Sequence, residues 1–528
     1  MRRVIGALAL SLLVCACTRQ TYVPGVLRLG EQDEPDSLNL MFAHSAATDE
    51  VDALLFSHIL RFDDNGDLIP DLALAVPTQQ NGGISRDEKT ITVHLRKGVT
   101  WSDGAPLTAA DWLFTYHAVM NPRNNTKTNY GWTEIASASA PDPYTLVIRL
   151  KRPSVAAFDV LTMGGSAYPP LPAHLLAKLP DINRAPFNQA PISSGPYILK
   201  AWNHGSSLDF VPNPHYWRGA PKLKEVIWQI IPDTNSLLSA LQTHAIDVYP
   251  TVDVNAVSAL ASISGITVEH RTIANWRHLG INMSKPQLAD VRVREAIAEG
   301  VDWKRINDTV YHGVNRLAVS DIFPDSWAAP ALPPYRYDPA HARALLAQAG
   351  WRMGPDRVLH KGSLTMQLTI SATVATKSNE ASEVVMQSML RPLGIALVIR
   401  NYPANLLFAQ NGPLYKGTYD LEWSIDTNGP DPDNFGNWNS AAIPPNGANT
   451  SWLRDPIVDR SSAAAASTFD HARRKRLYQV EESRLRALVP AVFFYWETGY
   501  WGISDHVTGY KPAAFLADTW NAWEWNVK

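Results

Sequence analysis

Residues 94–116 read HLRKGVTWSDGAPLTAADWLFTY. At its leading edge Ile91, Val93 and Leu95 alternate with Thr92 and His94, the period of a half-buried strand. Ser102-Asp103-Gly104 reads as a turn. Thr108, three residues before Asp111, forms a capping-box pattern. Trp112, Leu113, Tyr116 and Met120 then recur at the spacing of one helix face. The stretch is therefore strand, turn and capped helix. Its polar residues stand where turns and caps need them, so Trp101, Asp103 and Asp111 read as architecture rather than as a catalytic cluster.

The same mixture continues outward. Val51, Leu54, Leu55 and Ile59 predict a helix over 49–60, and Asn65-Gly66 predicts a hairpin turn. A strand is expected at Leu279–Asn282, a helix from near Asp290, a helix over about 470–487, and a strand at AVFFYWE (491–497). Strands and helices interleave without the strict alternation of a barrel, so the class is α/β. The chain has 528 residues, too many for one ordinary core, which implies two or three domains. A formal net charge of −3 gives no basic footprint for nucleic acid. The 18 tryptophans allow an aromatic-lined ligand site, although most are expected in packing.

The N-terminus reads MRRVIGALALSLLVCACTRQ. Two arginines, an apolar run and small residues form an export signal, because the run is far short of the ~20 residues of a membrane span. Both cysteines of the chain, Cys15 and Cys17, lie in this segment. The body therefore has neither thiol chemistry nor thiolate metal sites nor an internal disulfide. Val14-Cys15-Ala16-Cys17 resembles a lipobox, which implies a signal over 1–17 and lipidation of Cys17. Catalytic signatures are missing: there is no G-x-S-x-G, no H-E-x-x-H, no Walker loop and no G-x-G-x-x-G. No cofactor is expected and no metal site is predicted.

The opening stretch resembles the signature region of the dipeptide/oligopeptide (peptide/nickel) family of ABC-importer solute-binding proteins. Further blocks follow in the same order: SSGPYILKAW (193–202), NPHYWRGAPKL (213–223), a segment from Asp233 to Val248, INMSKPQLADVRVREAI (281–297), YDPAHARALLAQAGW (337–351) and the Asp-Pro-Asp loop. The likeness spans nearly everything after Val26. It implies a two-lobed clamp of three domains with mixed sheets, closing on a ligand by a hinge. Domain I would comprise 26–70, 190–279 and 494–528. A small domain II would occupy 71–189, with the opening stretch inside it and away from the cleft. Domain III would occupy 280–493. The partners implied are a peptide or small solute, a permease and its ATPase subunits, and a membrane reached only through the lipid anchor. The clamp would be a monomer, periplasmic or anchored at the membrane surface, and not an enzyme.

The resemblance also implies site residues. Peptide binders hold the ligand backbone as an added strand. One edge corresponds to Glu34, Pro35 and Asp36, the other to Trp423, Ser424, Ile425 and Asp426. A carboxylate in the second segment would pair with the ligand's α-ammonium, and Asp426 matches. DTNGPDPDNF (426–435) is longer than the usual loop by one residue, which leaves Asp431 as an alternative. Lys377 or Arg277 would meet the far carboxylate, and Trp276, Trp423 and Trp438 would wall the pocket. Pro35 has no N–H to donate, which fits either a non-donating position or a non-peptide ligand. A sugar, metal chelate or haem remains the alternative within the family, and a secreted hydrolase or a sensing receptor the alternative outside it.

Overall fold

The computed structural model describes residues 22–164, 167–374, 377–515 and 517–528. The signal-like segment and Cys17 lie outside the described residues. Within them no helix is long and apolar enough to cross a membrane.

Two long antiparallel strands organise the molecule, Ile266–Ile281 and Ala491–Ser504. Their ladder runs from Ile266 opposite Ser504 to Thr272 opposite Thr498, breaks, and resumes from Trp276 opposite Trp496 to Gly280 opposite Ala491. Before the break, the second strand pairs with Val248–Tyr249, which lies beside Val26–Glu31. After it, the first strand pairs with Leu421–Thr427. One mixed sheet thus passes through both lobes, and among the described residues only these two strands carry it across. At the break Ala274 donates its N–H to the Ala514 carbonyl instead of across the ladder, which leaves a bulge. The crossing therefore lies at 272–276 and 496–498. The borders expected at Leu279 and Phe494 fall inside the second lobe, where both residues are buried in one core with Trp303 and Trp423.

The opening stretch folds as read. Thr90–His94 pairs with Thr145–Leu150 in a separate three-stranded sheet. Thr108 and Asp111 form a reciprocal capping box on the helix Ala109–Met120, although Met120 itself is exposed. Asp111 also accepts the Ala173 N–H, and Asp103 accepts Ala105 N–H and pairs with His174. Trp101 and Trp112 are fully buried in a core that also holds Leu29 and Trp228. The 71–189 segment therefore shares its core with the first lobe. The helix expected over 49–60 runs from Ala46 to Leu55 and is capped by Ser45.

Candidate functional site

The strand Leu421–Thr427 is half covered. On one side it pairs along its whole length with the long strand, from Leu421 opposite Ile281 to Thr427 opposite Asn275. On the other, Gln367–Ser371 pairs only at Leu421 and Glu422. The direction of each backbone group follows from the flanking bonds: Asn428 N–H donates to Ala274 and Asn282 N–H to Asp420. Every second pair in this register exchanges hydrogen bonds. Glu422, Ser424 and Asp426 therefore turn their main chains toward the long strand, and Ile425 and Thr427 turn theirs to the unpaired edge.

Side chains alternate the other way. Trp423 faces the second-lobe core, stacked near Trp303 and against Phe494. It is not a pocket wall, because burial against these rings leaves it 1% exposed. On the opposite face stand Glu422, Ser424 and Asp426. Gly280, directly across from Glu422, has no side chain; a Cβ there would lie 2.6 Å from Glu422 Cγ. That vacancy lets Glu422 lie across the sheet to His278, Nε2 to Oε1 at 3.3 Å, while Thr450 Oγ1 donates to the same oxygen. The other ring nitrogen, Nδ1, lies 3.9 Å from Asp426 Oδ2. His278 is 4% exposed and its ring packs on Trp276 at 4.5 Å. Asp426 keeps 47% of its side-chain surface accessible. It lines a small opening together with Trp276, His278 and Trp438. Burial raises its pKa first; the His278 charge opposes, and Glu422 and Asp321 add to the rise.

Two hollows meet here. A small one of about 20 Å³ lies between Asp426, His278, Trp276 and Trp438, room for about one water. A larger one of about 270 Å³ lies between the lobes, lined by Tyr130 and Asp159 from one side and Asp431, Asp433 and Asn437 from the other. Asn437 borders both. Asp433 is pushed up to about 6 by burial and by Asp431, and Asp159 is raised by burial and by both of these acids. Asp431 is already engaged, taking two hydrogen bonds from Arg474 at 2.8 and 2.5 Å.

The remaining expected residues divide. Trp276 and Trp438 line the small hollow, with their indole N–H groups spent on Asn428 and Asp321. Arg277 is buried and donates to Tyr495 Oη and Asn379 Oδ1, both neutral. Asn379 sits in the first turn of the helix that Lys377 opens, so Lys377, which is exposed, and Arg277 approach one region. The edge expected at Glu34, Pro35 and Asp36 is not a strand: pairing ends at Glu31. Pro35 is buried, Glu34 accepts from Trp202, His204 and Gly205, and Asp36 accepts from His44 and Ser45. Both carboxylates hold loops together. His278 and Glu422 were missed, although period 2 along 422–426 already puts Glu422 and Asp426 on one face.

Comparison with known proteins gives this geometry its setting. The family model "Bacterial extracellular solute-binding proteins, family 5 Middle" matches residues 67–443. The chain belongs to this family. Its members bind solutes and are not enzymes, and the two-lobed α/β clamp is their fold. Among curated relatives, the oligopeptide-binding protein AppA of Bacillus subtilis is 25% identical over 501 residues, covering 92% of this chain and 89% of AppA. A putative ABC transporter peptide-binding protein of Brucella ovis is 29% identical over 495 residues, covering 91% and 90%. Among solved structures, NikZ of Campylobacter jejuni in complex with Ni(L-His) superposes with a TM-score of 0.79 at 26% identity, covering 96% of this chain and all of NikZ.

Proposed function

We propose that this solute-binding protein captures peptides for an ABC importer, holding the ligand between its lobes and handing it to a membrane permease. The observation that carries the peptide reading is the unpaired edge of Leu421–Thr427 beside the open carboxylate of Asp426. An extended peptide is the ligand that such an edge accepts, because it offers main-chain donors and acceptors at the strand spacing whatever its side chains. Asp426 receives the α-ammonium. Asp431 is not the better choice, since Arg474 already satisfies it. Arg277, buried against neutral partners, and Lys377 on the neighbouring helix attract the distal carboxylate. The names of AppA and of the Brucella relative agree with this reading. The lipobox-like segment completes it, with Cys17 lipidated and the clamp tethered at the membrane surface.

The test is retention of ligand. Purified protein is incubated with a mixed peptide pool, washed, and the retained species identified by mass spectrometry. Retained peptides, with thermal stabilisation that sugars and a nickel–histidine complex do not reproduce, support the reading. Stabilisation by the nickel complex alone replaces it with a metal-chelate ligand. Asp426→Ala is expected to weaken peptides with free amino termini about tenfold or more and N-acetylated ones far less; equal loss for both removes the ion pair from the mechanism.

A further inference from the structure

Glu422, His278 and Asp426 form a line across two strands, and the roles above use only Asp426. His278 is the middle member. It is buried, its Nε2 faces Glu422 Oε1 and its Nδ1 lies 3.9 Å from Asp426 Oδ2, and Nδ1 has no hydrogen-bond partner among the described residues. Glu422 Oε2 is likewise buried and unpartnered among them. A group flanked by two carboxylates is a proton site whose occupancy depends on both.

The charged groups around the imidazole are few. Glu422 and Asp426 face it from the neighbouring strand, Arg277 adjoins it on its own strand, and Asp321 acts on it through Asp426. Burial by itself lowers the His278 pKa. The hydrogen bond to Glu422 and the charges of Asp426 and Glu422 outweigh that and hold the pKa above its ordinary value, against Arg277. In the empty protein these surroundings favour the imidazolium form of His278 between the two acids. Asp426 is then partly neutralised from behind.

We propose that His278 is a positioning residue that couples peptide capture to proton release: an α-ammonium arriving at Asp426 takes the place of the imidazolium as its counter-charge, and His278 gives up its proton. This rests on the assignment of the ligand's α-ammonium to Asp426. The exchange balances in charge. A cation enters on the ligand and one proton leaves His278 to solvent. Because binding lowers the affinity of His278 for its proton, a lower proton concentration must raise the affinity for the ligand. Capture of free amino termini therefore strengthens with pH across the window in which His278 titrates. The device ties specificity for an ammonium to the state of one buried ring.

The experiment uses the peptide pool in two forms, with free and with acetylated amino termini, and measures apparent affinity at about pH 6 and about pH 7.5 for wild type and His278→Gln. The ratio of the two forms is the readout, since lobe closure and overall stability affect both alike. Wild type is expected to raise its preference for free amino termini by about threefold to tenfold over this interval. His278→Gln is expected to keep the preference but lose its pH dependence; the ligand amine titrates equally in both proteins and cancels between them. A preference that climbs with pH equally in both proteins overturns the role of His278 and leaves the Asp426 assignment standing. A pH-independent preference in wild type does the same. Wild-type protein that does not distinguish the two forms overturns the Asp426 assignment itself, and the proton coupling with it.

Discussion

At the residue scale, charges in this protein do two separate jobs, and burial tells them apart. Arg61 and Asp71 are fully buried, 2.8 Å apart, and Asp71 also accepts the His58 N–H. This pair fastens the base of the 71–189 segment. Removing one member leaves the other charged in a dry site, so Asp71→Ala is expected to cost about 3–5 kcal/mol. The shift of the first urea transition measures it. The double change Arg61→Met with Asp71→Leu is expected to recover only part of the loss, because the buried His58 N–H loses its acceptor and Arg218, 3.7 Å from Asp71, loses its acid. Asp426 is the contrasting case: half accessible, with its nearest cation 3.9 Å away, it is left free for something from outside the fold.

At the scale of elements, the strand Leu421–Thr427 carries the argument. Its register settles which backbone groups are spent and which are free, and Ile425 is among the free ones. A proline is tolerated in an edge strand where its missing N–H would have faced solvent. Ile425→Pro is therefore expected to leave the unliganded melting temperature nearly unchanged. It is expected to weaken peptide binding by about tenfold, the worth of one main-chain hydrogen bond to the ligand. Unchanged peptide affinity would show that the ligand does not lie along this edge. The same element explains why Trp423 fails as a pocket residue: one position along a strand reverses the face, and its neighbours Glu422 and Ser424 hold the other one.

At the scale of the whole molecule, the lobes touch. Glu88 accepts from Thr468 Oγ1 and Phe469 N–H, Val155 N–H donates to Ala466, and the rings of Phe158 and Phe469 lie 5.6 Å apart. Closure also brings Asp159 of one side toward Asp431 and Asp433 of the other, with Tyr130 and Arg474 as the further polar neighbours. Burial and the facing acids Asp431 and Asp433 raise the pKa of Asp159, so Asp159 holds its proton more tightly with the lobes together, and closure is favoured at acid pH and weakens as pH rises. Small-angle scattering of the empty protein is expected to give a smaller radius of gyration at about pH 5 than at about pH 7.5. Asp159→Asn is expected to remain compact at both, since the repulsion across the gap is removed. A pH-independent radius in wild type refutes the effect.

Local order in the sequence determined much of this protein. Alternation at Thr90–His94, the Thr108–Asp111 cap and the long helix near 471–488 follow from backbone and side-chain chemistry within a few residues, and so could be read directly. The order of the blocks determined the family and the clamp. Only the tertiary structure shows which of the expected carboxylates are already engaged. Glu34 and Asp36 look as available in the sequence as Asp426, yet Trp202 and His204, far along the chain, consume Glu34, and the backbone turn at His44 and Ser45 consumes Asp36. Arg474 lies 43 positions from Asp431 and removes it from contention. His278 meets Glu422 across 144 positions because a glycine leaves the gap between them. Spare charge is a property of the space around a residue, and that space is made by parts of the chain the local sequence does not contain.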